Sequence, residues 1–150
     1  MTPISFFVPG NPKGLKRHRS TKTGIHYDPS AGDKKDFLGK AMANRPDEPI
    51  LGPVCLQLTC VFARPKCHYR TGRNAHLLKE TAPYWYTSTP DADNVLKFVG
   101  DALNGIFWKD DRQVIPLPVY RVYGKTPGIQ IHLREPTPFD VQSAMLSLEP

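Results

Sequence analysis

Apolar and polar positions fall into two periods along this chain. Ile4, Phe6 and Val8 share one side of an alternating run that closes at the Pro9-Gly10-Asn11-Pro12 turn, predicting a first strand. The clearest strand spans 54–62. There Val54, Leu56, Leu58, Cys60 and Phe62 face one way, and Cys55, Gln57, Thr59 and Val61 face the other. Helical spacing appears at Phe37, Leu38, Ala41 and Met42 and stops at Arg45-Pro46, while Ser30 followed by Asp33 resembles a capping box at its start. A second helix is expected from Pro90-Asp91 to Asn104-Gly105, with Val95, Val99, Ala102, Leu103 and Ile106 as its buried stripe and glycine at its C-terminal cap. Two strands follow, at 114–123 and at Ile129, Ile131 and Leu133, joined by what reads as a hairpin turn, Gly124-Lys125-Thr126-Pro127-Gly128. Pro116 and Pro118 mark the first of these as an edge or bulged strand.

The order is therefore β-α-β-α-β-β, an α+β fold with a single mixed sheet and two main helices. Two segments stand outside the periods. Residues 13–27, with Thr23-Gly24 in the middle, read as an exposed basic hairpin or arm. Residues 64–90 are polar and aromatic without a period, and loops of that length in a compact domain are usually functional or ordered by a partner. Residues 1–136 are expected to form one domain, with 137–150 a C-terminal tail of weak pattern, open to being mobile.

Composition narrows the class. With 150 residues, 39% hydrophobic and 23% charged, the chain has enough material for a core, and wholesale disorder is excluded. Sixteen prolines and eleven glycines argue for short strands and turns and against a helical bundle. No apolar run approaches the roughly 20 residues of a membrane span. The start lacks the features of a secretory signal, so no membrane partner and a cytoplasmic location are expected. Three cysteines cannot all pair internally, which fits a reducing compartment, and Cys55 and Cys60 face opposite sides of one strand. A metal site from Cys60, Cys67, His68 and His76 matches no zinc spacing.

Charge is unevenly placed. The net +6 divides into eight Lys and Arg against three acids over 1–40, five against one over 64–80, and two against five over 81–111. Basic flanks around an acidic centre suit a protein that holds a polyanion and concentrates carboxylates at one place along it. A solvated basic surface is the plainer alternative.

The acidic centre is the densest chemical candidate. Asp93, Lys97, Asp101 and Asn104 fall within about 80° on a helical wheel, opposite the apolar stripe. Asp91 sits at the helix mouth, and Asp110 and Asp111 follow where the chain turns back. Singly these residues read as helix caps, surface ion pairs or turn residues. Together, carboxylates converging on one edge repel one another unless a cation lies between them, and Mg²⁺ takes a few carboxylates while keeping waters and substrate phosphates. Such a cluster beside a lysine has what metal-assisted phosphodiester hydrolysis requires.

The run Asp91-x-Asp93-Asn94-x-x-Lys97-x-x-x-Asp101-Ala102-Leu103-Asn104-Gly105, continued by Trp108-x-Asp110-Asp111-x-Gln113-Val114, resembles the signature of RusA-type Holliday-junction resolvases. The resemblance implies a Mg²⁺-dependent homodimeric endonuclease, with Mn²⁺ a plausible substitute. Such an enzyme resolves four-way DNA junctions by paired symmetric cuts during recombination and repair. It puts the metal-binding aspartates at Asp91, Asp93 and Asp111 and the catalytic lysine at Lys97, with Asp101 and Asp110 in support, Asp101 as a partner holding Lys97. A C2 dimer suits a junction that is itself close to two-fold symmetric. Lys13, Lys16, Arg17, Arg19 and Lys22 in the arm, with Arg64, Lys66, Arg70, Arg73 and Lys79 in the loop, are expected to neutralise phosphates. Tyr84-Trp85-Tyr86 either stacks on splayed bases or packs over the loop, and Trp108 is expected in the core. The alternatives are a branch or flap endonuclease of broader specificity and a non-catalytic basic DNA-binding module.

Overall fold

A computed structural model of the chain describes residues 1–148. Strands β1 (Ile4–Pro9), β4 (Val54–Ala63), β5 (Val114–Gly124) and β6 (Gly128–Arg134) form one mixed sheet in the order β1-β6-β4-β5. A two-residue pair, β2 (Arg19–Ser20) with β3 (His26–Tyr27), makes the expected hairpin of the basic arm. Helices α1 (Ala31–Ala41) and α2 (Ala92–Leu103) complete the α+β architecture, and a third helix, α3 (Pro138–Leu146), follows the sheet.

The alternating run of β4 builds the core. Val54, Leu56, Leu58, Cys60 and Phe62 are all buried, whereas Gln57, Thr59 and Val61 on the other face are half-buried. Burial pushes the Cys60 thiol up to about 12, which makes it inert, and all three cysteines are unpaired. From α2 come Val95, Phe98, Val99, Ala102 and Leu103, with Ile106 only packed against the edge of the cluster. Each of the valine, leucine and phenylalanine side chains contributes roughly 1.5–3 kcal/mol on burial, which fixes the helix's rotation and therefore which face it shows to solvent. Gly105, with φ +76°, ends the helix as expected, and the chain folds straight back through Phe107 and Trp108, both fully buried.

Two expectations need correcting. β5 and β6 are not a hairpin. The β4-α2-β5 crossover brings β5 parallel to β4 along one side, so β6 pairs with the other side, antiparallel. The link 124–128 thus steps across the end of β4, where Ala63 lies opposite Gly124 and Val61 opposite Gly128. The two prolines do fall on an edge strand, and the β4–β5 register shifts between Leu56 and Leu58 beside them.

Ser30 does occupy the N-cap of α1, but it makes no capping hydrogen bond. Its buried hydroxyl accepts from the Lys16 N–H at 2.7 Å instead, and Asp33 pairs with Lys13 and Lys16. Within the expected tail, residues 137–148 hold α3. Thr137 and Asp140 form a full capping box, and the Arg134 guanidinium grips the Asp140 carboxylate at 2.6 and 2.8 Å. Weak periodicity concealed this helix because none of its residues is buried.

Candidate active site

The solvent face of α2 carries the acidic signature, and its start is capped from within. Asp91 stands in extended conformation as the N-cap, its carboxylate accepting from the Asn94 N–H at 3.0 Å. One turn in, Lys97 Nζ donates to Asp93 Oδ2 at 2.9 Å, and both side chains are well exposed. Asp93, and beyond it Asp91, hold the Lys97 ammonium above its usual range, so it remains protonated. Asp101 does not hold Lys97. It lies 3.6 Å from Lys34 of α1, which Asp28 also binds at 2.6 Å. The reason is directional: helical side chains lean towards the N-terminus, so Lys97 meets the residue four before it rather than four after.

Asp110 and Asp111 enter on a single 3₁₀ turn, Asp111–Gln113. Asp110 caps it, accepting from the Arg112 N–H and pairing with the Arg112 guanidinium at 2.9 and 3.0 Å. That guanidinium lowers the Asp110 carboxyl to about 2. Gln113 completes the cap and donates to the carbonyls of Ile50 and Gly52. The turn is thus tied to the 50–52 segment, and Asp111 is left projecting. Asp111 lies 3.5 Å from the buried Trp108 Nε1–H and lines, with Lys97, Asp101, Gly100, Leu96 and Leu56, a shallow cavity of about 250 Å³.

Lys97 is therefore the common neighbour of the three acids: bonded to Asp93, within electrostatic reach of Asp91, and sharing a cavity wall with Asp111. As a donor set, three carboxylates suit a hard divalent ion, although only Asp111 of the three lines the cavity. The set is open in this arrangement. Among the described residues no three His, Cys, Asp or Glu side chains stand close enough together to hold a metal ion. Asp93 is turned to Lys97 and Asp91 to the first turn of its own helix.

The ten basic residues separate into two groups. Lys13 and Lys16 pair with Asp33 at 2.7 and 3.2 Å, Arg64 donates to the Pro83 carbonyl and lies over the Tyr123 ring, and Arg70 donates to the Leu78 carbonyl. Arg17, Arg19, Lys22, Lys66, Arg73 and Lys79 are exposed and make no ion pair or side-chain hydrogen bond among the described residues. The 64–90 segment owes its order to its own backbone, through short 3₁₀ turns and a Tyr69–Leu78 bridge.

It then returns along the free edge of β5, where Tyr86 N–H donates to Arg121 O and Tyr123 N–H to Tyr84 O. Tyr86 stacks on Phe62 with ring centroids 3.6 Å apart, so it belongs to the packing. Tyr84 and Trp85 remain exposed, edge to face. Two positioning groups had no role predicted from sequence. Arg121 donates to the carbonyls of Ser88 and Pro90 at 2.9 and 3.1 Å, immediately before Asp91, and the Asn94 amide bonds the backbone of Leu15. Asn94 lay within the signature; Arg121 sat in a strand pattern that offers no signal.

Residues 9–134 match the family model described as endodeoxyribonuclease RusA. Over 140 residues the chain is 34% identical to YqaN of Bacillus subtilis (strain 168), described as an uncharacterized protein, with 88% of this chain and 96% of YqaN covered. The chain belongs to the RusA endodeoxyribonuclease family, whose members act on branched DNA junctions. Both the suspected family and the α+β fold are borne out. No helix among the described residues is long and apolar enough to cross a membrane.

Proposed function

We propose that this protein is a homodimeric, divalent-metal-dependent endonuclease that resolves four-way DNA junctions by paired symmetric hydrolysis. The observation that supports this reading is Lys97, bonded to Asp93, within electrostatic reach of Asp91 and lining one cavity with Asp111, in a chain whose arm and 64–90 loop carry six cations without a side-chain partner among the described residues. Asp91, Asp93 and Asp111 would hold Mg²⁺, or Mn²⁺ in its stead, once Asp93 gives up Lys97. The bound ion would supply a hydroxide equivalent and neutralise charge on the leaving oxygen.

The chain's own residues do the rest. Lys97, an ammonium protonated at neutral pH, serves as a charge stabiliser for the pentacovalent phosphate rather than as a base. Asp110 holds the turn that presents Asp111, and Asp101 ties α2 to α1 through Lys34. Arg17, Arg19, Lys22, Lys66, Arg73 and Lys79 bind phosphates without reading bases. A C2 pair of such sites would face two strands of matching polarity.

The test is to incubate purified protein with an immobile four-way junction, a flap and a linear duplex, with and without Mg²⁺, and to map nicks on every strand. Symmetric paired nicks on the junction, only with Mg²⁺ and absent with Asp91→Asn, are expected. Asn is itself a good N-cap, so that variant keeps the helix start. Equal cutting of all three substrates would replace the resolvase by a broader branch nuclease, and cutting by Asp91→Asn would end the metal-ligand assignment.

A further inference from the structure

The basic arm is fastened to the mouth of α2 by one side chain. Asn94 Oδ1 accepts from the Leu15 N–H at 3.1 Å, and Asn94 Nδ2 donates to the Leu15 carbonyl at 3.3 Å. Only a primary amide presents a donor and an acceptor side by side in this way; a carboxylate lacks the donor. The contact admits nothing larger than glycine next to it. A Cβ on Gly14 would lie 2.3 Å from Asn94 Nδ2, 2.8 Å from its Cγ and 3.0 Å from Pro90 Cβ, although Gly14 has no positive φ that would itself demand glycine.

The same asparagine is held at its backbone by the acid it follows, because its N–H donates to the Asp91 carboxylate at 3.0 Å. Asp91 and Leu15 are thus two contacts of a single residue. On the other side of the arm's root, Ser30 and Asp33 hold Lys13 and Lys16, so residues 13–16 are gripped between the starts of α1 and α2. Past that grip, the side chains of Arg17, Arg19 and Lys22 make no hydrogen bond or ion pair among the described residues.

We propose that Asn94 is a positioning residue that sets the basic arm at a fixed place relative to the acidic edge, so that DNA phosphates held by Arg17, Arg19 and Lys22 arrive in register with Asp91. The DNA part rests on the nuclease reading above; the clamp itself does not. A pre-ordered arm binds without first losing its conformational freedom, and a freed one binds more weakly with the same charges.

The experiment is a double-mutant cycle on junction affinity, with divalent ions chelated so that no cutting is needed. Asn94→Ala is expected to weaken binding about tenfold with the arm intact and less than about twofold when Arg17, Arg19 and Lys22 are alanine. Gly14→Ala, which drives a methyl into the amide, is expected to show the same coupling. Equal losses in the two backgrounds would mean that Asn94 supports the fold generally, and would overturn the proposal.

Hydrogen exchange at the Leu15 amide reads the clamp without DNA. Protection in the parent protein that is lost in Asn94→Ala supports it, and an unprotected Leu15 amide in the parent overturns it. A parent protein that ignores the junction overturns the nuclease reading and the arm's DNA role together, a result separable from the exchange measurement.

Discussion

Lys97 Nζ lies 2.9 Å from Asp93 Oδ2, one turn back along α2, while Asp101, one turn ahead, is engaged by Lys34. The lysine is thus biased towards the helix mouth, where Asp91 caps the first turn, and away from the α1–α2 contact. Lys97→Ala is expected to slow the chemical step by about 10²–10³-fold while changing junction affinity by less than about threefold. Single-turnover cleavage and binding in chelator separate the two. A loss confined to affinity would make Lys97 one more phosphate-binding cation.

The arm's cations differ in availability. Lys16 is paired with Asp33, whereas Arg17 and Arg19 have no pair among the described residues. Replacing Lys16, Arg17 and Arg19 by alanine is expected to flatten the dependence of log affinity on log salt by about 0.9 for each phosphate no longer neutralised. Reverting Lys16 alone is expected to recover the least. An unaltered slope would show that the arm does not touch phosphate.

Arg121 grips the two carbonyls that lead into Asp91. Arg121→Ala removes charged hydrogen bonds each worth about 1.5–3 kcal/mol net, and Arg121→Lys, lacking the planar fork, is expected to restore only part of the cleavage rate. Urea unfolding and cleavage are to be measured together. Full recovery by lysine would reduce Arg121 to a positive charge.

The Arg134 guanidinium beside Asp140 holds its carboxyl well below the usual carboxylate range, with the Thr137 N–H and hydroxyl helping. A depressed folded-state value stabilises α3 above the unfolded aspartate value of about 3.9 and loses that contribution as pH falls towards the folded one. Exchange of α3 amides is therefore expected to be steady from neutral pH to about pH 4, apart from intrinsic chemistry, and to lose protection below it. Asp140→Asn should bring the low-pH behaviour to neutral pH.

Much of this was legible because burial writes period into sequence. The two inward rows of β4 and α2 carry one face each, so Leu56, Leu58, Val95 and Val99 announce their elements. α3 buries nothing, and only its Thr137/Asp140 cap was there to be read. Strand order escaped for a different reason: a five-residue turn between two strands reads as a hairpin whether or not a third strand lies between them. At the site, the acids and Lys97 stood out by type and spacing. Which acid Lys97 would meet depended on side-chain lean, and the partner of Asp101, Lys34, comes from another helix. Asn94 was visible as a residue but its partner was a backbone 79 positions away, which no local pattern encodes.

In the proposed site, Asp91, Asp93 and Asp111 together hold a divalent ion. Mn²⁺ prefers the same oxygen ligands as Mg²⁺ and is visible by electron paramagnetic resonance, so its binding can be titrated without DNA or turnover. The parent protein is expected to show saturable Mn²⁺ binding that weakens at least about tenfold in each of Asp91→Asn, Asp93→Asn and Asp111→Asn. Parent-like Mn²⁺ binding by Asp111→Asn would contradict the shared site.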